Sequence, residues 1–311
     1  MKLFGLDASR AGAEQRAELL GIELSAHEER EFEDGEFKIR PLESVRDERI
    51  YIYHSLASGG GFSANTKLVR LLFFVGALKD AGASSITVIA PYLAYARKDR
   101  RTKSRDPISI RYLAQIFEAV GTDEVVTVDV HNPAAFENAF RCRTQNLEAA
   151  ALFADYLASA AESAKRIVVV SPDSGGVKRA RRFADLVSER VENPVELAFM
   201  EKHRSEGKVS GGLFAGDVRD SLVIIFDDLI SSGTTMRRAA VRCLELGAES
   251  VHVAATHGVF GAGASDALSD DAISTIVVTD TVPDVRTRAA AFDDKLVVLA
   301  SAELLQSVVR D

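Results

Sequence analysis

Two stretches of this chain repeat one pattern, and the repetition narrows the choice of fold more than any other feature. Residues 71–96 read LLFFVGALKDAGASSITVIAPYLAYA and residues 237–261 read RRAAVRCLELGAESVHVAATHGVFG, each a helix, a Gly-Ala turn, a buried strand and a loop. A second pair agrees: ITVIAPYLAYARKDRR at 86–101 and IVVVSPDSGGVKRARR at 167–182 both run apolar strand, proline, basic segment. Pro91 and Pro172 hold the same place in the two. Strands alternating with helices at this spacing build parallel βαβ units. Their recurrence predicts two similar α/β domains, residues 1–145 and 146–311. Further strands are expected at 49–54, 124–129, 195–200, 274–280 and 295–299, and a helix at 147–161.

The segment VIIFDDLISSGTTM at 223–236 carries the most chemistry. Four apolar residues, Val223, Ile224, Ile225 and Phe226, make the kind of run found in the middle of a parallel sheet, and Asp227 and Asp228 follow at its carboxyl end. Open α/β sheets bind ligands at that edge. Ser231, Ser232, Gly233, Thr234 and Thr235 can then turn successive backbone N–H groups toward one point, and a helix starting near Thr235 adds its positive dipole end. A phosphate suits such a loop. Carboxylates repel phosphate, so the aspartates need another partner, and the hydroxyls of a sugar attached to that phosphate fit both charge and spacing. The same residues also read as an acidic cap on an ordinary strand-loop-helix unit.

The net charge of −8 argues against generic nucleic-acid binding, although basic segments survive within that total. The two cysteines, Cys142 and Cys243, lie at no metal-like or redox-like spacing, which points to small core residues in a reducing cytoplasm. No apolar run reaches the length needed to cross a bilayer, and the N-terminal stretch turns polar too soon for a secretory signal. A cytoplasmic protein with no membrane or nucleic-acid partner is expected. No Walker A sequence is present, so a nucleotide would have to be held by something other than a P-loop.

Taken together, FEDGEF at 32–37, PYLAYARKDRR at 91–101, VDVHNP at 128–133, VVSPDSGGVKRAR at 169–181, EKHR at 201–204 and the aspartate-pair loop resemble the motifs of the ribose-phosphate pyrophosphokinases, or PRPP synthetases, in their usual order. One such motif is weak evidence; six in order along nearly the whole chain are specific. The resemblance implies two phosphoribosyltransferase-like domains, each a mainly parallel sheet flanked by helices. It also implies transfer of the β,γ-diphosphoryl group of ATP to the anomeric hydroxyl of ribose 5-phosphate, giving PRPP and AMP for nucleotide biosynthesis, with Mg2+.

Site residues follow from the same resemblance. Asp227, Asp228, Ser231, Ser232, Gly233, Thr234 and Thr235 would bind ribose 5-phosphate. Phe32, Asp34 and Glu36 would reach the ATP site of a neighbouring subunit, which makes the protein a homo-oligomer of two subunits at least, and up to a hexamer. Taken alone, Asp34-Gly35 is a hairpin turn signal. Arg97, Lys98 and Asp99 would lie at the ATP site, where arginine offers forked contact to phosphate oxygens. His131 and Asp173, each following a strand, would help hold magnesium, with oxygen donors carrying most of the coordination. Lys202 and Arg204 would close over the reacting phosphates from a mobile loop or hairpin and stabilise developing charge. The arginines of GGVKRARR at 175–182 read as a solvated helix face and stay outside the expected site.

Four departures from the family pattern stand out. Lys98 replaces the usual glutamine, Thr234 stands where the sugar-phosphate loop usually has glycine, and the segments at 58–63 and 261–265 differ from the common forms. SSGTT gives the loop some likeness to a phosphoribosyltransferase, which would consume PRPP without ATP, but FEDGEF and YARKDRR would then have no task. A non-catalytic regulatory subunit is the other rival, and retention of Lys202, Arg204, His131, Asp173 and both loop aspartates argues against it.

Overall fold

A computed structural model describes residues 1–161, 164–205, 208–305 and 308; the side chains at 202–205, 208–212 and 305 lie outside that description. The chain divides into two compact units. The first holds Met1–Glu148, takes in Thr281–Asp284, and includes the described residues from Ser301 onward; the second holds Ala149–Asp280 and Val285–Ala300. Within the first unit the returning segments are tied by hydrogen bonds, from Arg16 to Ser301 Oγ at 2.8 Å and from Ser55 Oγ to the Thr281 carbonyl at 2.6 Å.

The first unit runs β1 (Lys2–Gly5), α1 (Arg10–Leu20), β2 (His27–Glu31), β3 (Phe37–Pro41), β4 (Arg49–Tyr53), α2 (Ala64–Asp80), β5 (Ser85–Ile89), α3 (Ser109–Ala119), β6 (Glu124–Val128), α4 (Pro133–Ala139) and β7 (Arg143–Leu147). Its five-stranded sheet has the order β1-β4-β5-β6-β7, every pairing parallel, while β2 and β3 form a separate antiparallel hairpin. Parallel strands need crossovers, and α2 and α3 supply them. Helix α2 starts where Ser63 accepts a hydrogen bond from the Thr66 N–H at 3.1 Å, a side-chain N-cap. Its buried Leu71, Phe74, Val75 and Leu78 fall at helical spacing and pack on the sheet. The same helix pins the hairpin: Arg70 pairs with Glu29 at 3.1 Å and with Glu31, and the Phe37 and Phe73 rings meet at 5.4 Å.

The second unit runs α5 (Ala150–Ala161), β8 (Ile167–Ser171), α6 (Val177–Ser188), β9 (Val195–Ser205), β10 (Lys208–Ala215), β11 (Leu222–Ile230), α7 (Thr234–Glu245), β12 (Ser250–Gly258), α8 (Ala264–Leu268), β13 (Thr275–Thr279), α9 (Val285–Arg288) and β14 (Leu296–Leu299). Its seven strands are ordered β10-β9-β8-β11-β12-β13-β14, parallel except for the antiparallel edge pair β9–β10. The two units are both mainly parallel sheets flanked by helices, the architecture expected from the repeats.

Strand β9 and helix α5 differ in their bounds from the sequence reading. Strand β9 continues past Met200 to Ser205, because pairing with β10 satisfies its backbone where an apolar run alone would have stopped. The expected helix at 147–161 begins at Ala150, since Leu147 is taken by β7, which pairs Val128 with Leu147.

Candidate active site

Strand β11 is fully buried from Leu222 to Phe226, and its central ring anchors it: Phe226 stacks on Phe183 of α6 at 4.1 Å and meets Phe153 of α5 edge-on at 5.5 Å. The strand pairs with β8 only as far as Ile225, but with β12 as far as Ile230. Asp227 and Asp228 therefore sit on strand backbone that has outrun one neighbour. They are at the carboxyl end of the β8 ladder while still inside β11, rather than beyond the strand as the four-residue apolar run implied.

The two carboxylates share one cation. Arg179 of α6 directs Nη1 at Asp227 Oδ1 (2.5 Å) and at Asp228 Oδ1 (3.1 Å). Asp228 is buried and Asp227 largely so. Burial, and next the neighbouring Asp228 charge, push the Asp227 carboxyl up to about 7 against the opposing pull of Arg179. Sequence reasoning missed Arg179 by treating the basic residues of α6 as one wet face. A signal was there: Ala180, Phe183, Ala184 and Val187 form the buried stripe, and Arg179 lies four residues before Phe183, on the same side of the helix.

The loop after β11 closes through glycine. Gly233 is the N-terminal cap of α7 in the left-handed region, φ 72°, and a Cβ there would lie 2.8 Å from Leu268 Cγ and 2.9 Å from its Cδ2. Both the backbone sign and the packing of α8 therefore call for glycine. Helix α7 begins at Thr234, one residue earlier than expected, so the first-turn N–H groups, which have no acceptor within the helix, start at the loop itself. The Ser232 and Thr234 hydroxyls lie 3.1 Å apart, and the Gly261 N–H donates to the Ser231 carbonyl at 3.0 Å, fixing the loop from the far side. The seven residues expected to bind the sugar phosphate are thus gathered on one strand-loop-helix unit.

Asp173 lies in the turn after β8, half-buried, its Oδ1 accepting from the Gly175 and Gly176 N–H groups at 3.0 and 3.3 Å. Gly176 passes close to the aspartate pair: a Cβ there would lie 2.8 Å from Ser171 Oγ and 3.5 Å from Asp227 Oδ1. Lys202 and Arg204 fall on β9, with Arg204 opposite Val209 of β10, and their side chains lie outside the described residues.

In the first unit, Phe32, Asp34 and Glu36 occupy the exposed tip of the β2–β3 hairpin. The tip is a tight turn with Gly35 at φ 87°, the Phe32 N–H donating to the Glu36 carbonyl at 2.7 Å and the Glu36 N–H to Asp34 Oδ1 at 3.0 Å. Phe32 is 41% exposed, an aromatic face presented to solvent beneath the Arg30 guanidinium. Arg97 is exposed just beyond β5, and Asp99 Oδ2 accepts from Asn132 Nδ2 at 2.6 Å. Asn132 also caps α4, accepting from the Ala135 N–H at 3.2 Å, so the basic loop and the His131 loop are joined by one side chain. His131 is exposed. The Lys98 ammonium is bound within its own loop, 2.6 Å from Asp106. Among the described residues one grouping, Asp7, His27 and Glu29, has metal-like proximity, but Glu29 already accepts from the Asp7 N–H, His27 and Arg70.

Comparison with known proteins adds to this geometry. Residues 1–121 match the family model described as the N-terminal domain of ribose phosphate pyrophosphokinase, and residues 144–293 match the phosphoribosyl transferase domain. Ribose-phosphate pyrophosphokinase 1 of Streptococcus pneumoniae is 34% identical over 314 aligned positions, covering 99% of this chain and 92% of that protein. Its counterpart in Streptococcus agalactiae is 33% identical over 100% of this chain and 93% of its own length. The crystal structure of phosphoribosylpyrophosphate synthetase from Mycobacterium smegmatis superimposes with a TM-score of 0.88 at 33% identity, covering 99% of this chain and 97% of that one.

Proposed function

The chain belongs to the ribose-phosphate pyrophosphokinase family and is an enzyme of PRPP synthesis, and from that premise we propose how its residues divide the work. The second unit holds ribose 5-phosphate. Backbone N–H groups of Ser231, Ser232, Gly233, Thr234 and Thr235 take the 5-phosphate, and the Asp227 and Asp228 carboxylates accept the ring hydroxyls. Arg179 balances the pair while no sugar is bound. The observation that carries this reading is the aspartate pair and the Gly233 loop standing side by side on one strand-loop-helix unit.

The first unit holds ATP through Arg97 and Asp99, and through Phe32, Asp34 and Glu36 offered from a hairpin tip to a neighbouring subunit. The enzyme is on this reading a homo-oligomer, and we assign it to the cytoplasm. No helix among the described residues is long and apolar enough to cross a membrane. The reaction forms a bond between the 1-oxygen of ribose 5-phosphate and the β-phosphorus. The bond from that phosphorus to the α,β-bridging oxygen breaks, the hydroxyl proton is released, and AMP leaves. Lys202 and Arg204 stabilise the charge that grows on the transferring group.

His131 and Asp173 are the proposed magnesium-holding residues. The half-buried carboxylate of Asp173, oriented by two backbone N–H groups, fits a hard cation that prefers oxygen. Bound Mg2+ would neutralise charge on the ATP phosphate oxygens. Incubating the protein with ATP, Mg2+ and ribose 5-phosphate tests the assignment: AMP and PRPP should appear in equal amounts. ADP in place of AMP would overturn the diphosphoryl transfer, and PRPP consumption without ATP would point to a phosphoribosyltransferase.

A further inference from the structure

The basic loop between β5 and α3 has an electrostatic problem that the nucleotide reading leaves open. Arg97, Lys98, Arg100, Arg101, Lys103 and Arg105 place six cations in nine residues. Left alone, such a run repels itself and extends into solvent. Asp99 supplies one opposing charge, and its Oδ2 is held by Asn132 of the neighbouring loop. The loop is nevertheless folded, and one carboxylate folds it.

Asp106 Oδ2 accepts from Lys98 Nζ at 2.6 Å, Thr102 Oγ1 at 2.7 Å, the Lys103 N–H at 2.9 Å and the Thr102 N–H at 3.0 Å. Lys98 Nζ also donates to Thr102 Oγ1 at 3.1 Å, so the ammonium is shared within a closed ring of loop atoms. The backbone of Asp106 takes part as well: its carbonyl accepts from Arg101 Nε at 3.2 Å and its N–H donates to the Lys103 carbonyl at 3.2 Å. Arg105 turns the chain back through the left-handed region, φ 66°, to bring Asp106 over the loop. Pro107 then restricts Asp106 to an extended conformation ahead of α3. The Lys98 side chain is about two-thirds buried by this arrangement and Asp106 more so, whereas Arg97 and Arg100 stay exposed. The donors on Asp106, Lys98 first, hold its carboxyl well below the usual carboxylate range, so it is ionised throughout any ordinary assay.

We propose that Lys98 and Asp106 form a strut that folds the basic loop and positions Arg97 and Asp99 for ATP, with Lys98 serving the loop and not the nucleotide. Asp106 is then a positioning residue for the reaction. This rests on the reading that the loop holds ATP. It also accounts for lysine at position 98: a point charge on a long stem can reach across to Asp106 and bind it ionically, which a neutral amide cannot do.

Steady-state kinetics on single and paired variants separate the alternatives. Asp106→Ala should raise KM for ATP by roughly threefold to tenfold, the range for losing a partly exposed charged hydrogen bond, with KM for ribose 5-phosphate unchanged. Lys98→Met should give a similar rise. The pair variant should be no worse than either single one, because the residues act as a unit. Asp106→Asn keeps an acceptor for the two loop N–H groups and should fall between Asp106→Ala and the natural protein; it also serves if Asp106→Ala fails to fold. Multiplying effects in the pair variant, or an unchanged KM for ATP with Asp106→Ala, would overturn the strut. Arg97→Ala is the control on the underlying reading: if it leaves KM for ATP unchanged, the loop does not hold the nucleotide and the proposal falls with it.

Discussion

Replacing Gly233 by alanine probes the sugar-phosphate loop more sharply than removing any of its side chains. Two costs add. An alanine at φ 72° sits in the left-handed region, which disfavours L-residues by about 1–2 kcal/mol. Its Cβ would also lie 2.8 Å from Leu268 Cγ and 3.2 Å from Ala267 Cβ, and relieving such overpacking in a closed site costs about 1–3 kcal/mol. Leu268 is fully buried, so it has little room to retreat. The expected destabilisation is about 2–5 kcal/mol, measured by urea unfolding followed by circular dichroism. If the loop shifts to relieve the contact, KM for ribose 5-phosphate should rise while KM for ATP stays near its original value. Leu268→Ala separates the two costs. In the natural background it should cost about 2–5 kcal/mol through the cavity it leaves. Combined with Gly233→Ala it should cost about 1–3 kcal/mol less, since the cavity receives the new methyl group. Costs that simply add to within about 0.5 kcal/mol would refute the steric argument, and an unchanged KM for ribose 5-phosphate in a destabilised variant would detach this loop from the sugar phosphate.

Other outcomes follow from the same geometry. The folded protein holds the Asp227 proton up to about pH 7 against an ordinary value of 3.8, so the stability this group contributes is present at acid pH and is lost as pH rises through about 7. Asp227→Asn cannot ionise, and its melting temperature relative to the natural protein should climb between pH 4 and pH 8; a constant difference would mean the carboxyl is not shifted. Phe226→Ala should cost about 3–5 kcal/mol in a denaturant titration, because it removes a ring stacked on Phe183 and packed on Phe153; a loss below about 1 kcal/mol would show that the strand does not depend on that cluster. Lys202→Ala should lower kcat strongly with little change in melting temperature, and unchanged turnover would remove it from the mechanism.

Much of the architecture was legible because parallel βαβ units leave strong periodic marks. The continuous apolar runs at 167–170 and 223–226 are buried strands, and the Gly-Ala turns lie where the repeats put them. The Asp34-Gly35 signal is a hairpin turn in fact, and its company in the sequence is what gave it a second meaning. What escaped was set by tertiary partners. The far half of β11 is strand only because β12 lies beside it, and the second half of β9 only because of β10. Arg179 belongs to a helix whose charge pattern looks solvated until Asp227 and Asp228 are seen opposite it. Asp106 shows the same limit from the other side: it lies eight positions after Lys98 in a segment that forms neither helix nor strand, so no periodic pattern marks the pair. The return of residues 281–284 and of the described residues from Ser301 to the first unit has no periodic signal either.

Amide hydrogen exchange across the β11–α7 junction, with and without ribose 5-phosphate, tests the central assignment most directly. Binding should slow exchange at Ser231, Ser232, Gly233, Thr234 and Thr235, and ribose lacking the phosphate should leave these amides unprotected. Protection that appears elsewhere in the chain while these five residues exchange as before would contradict the account.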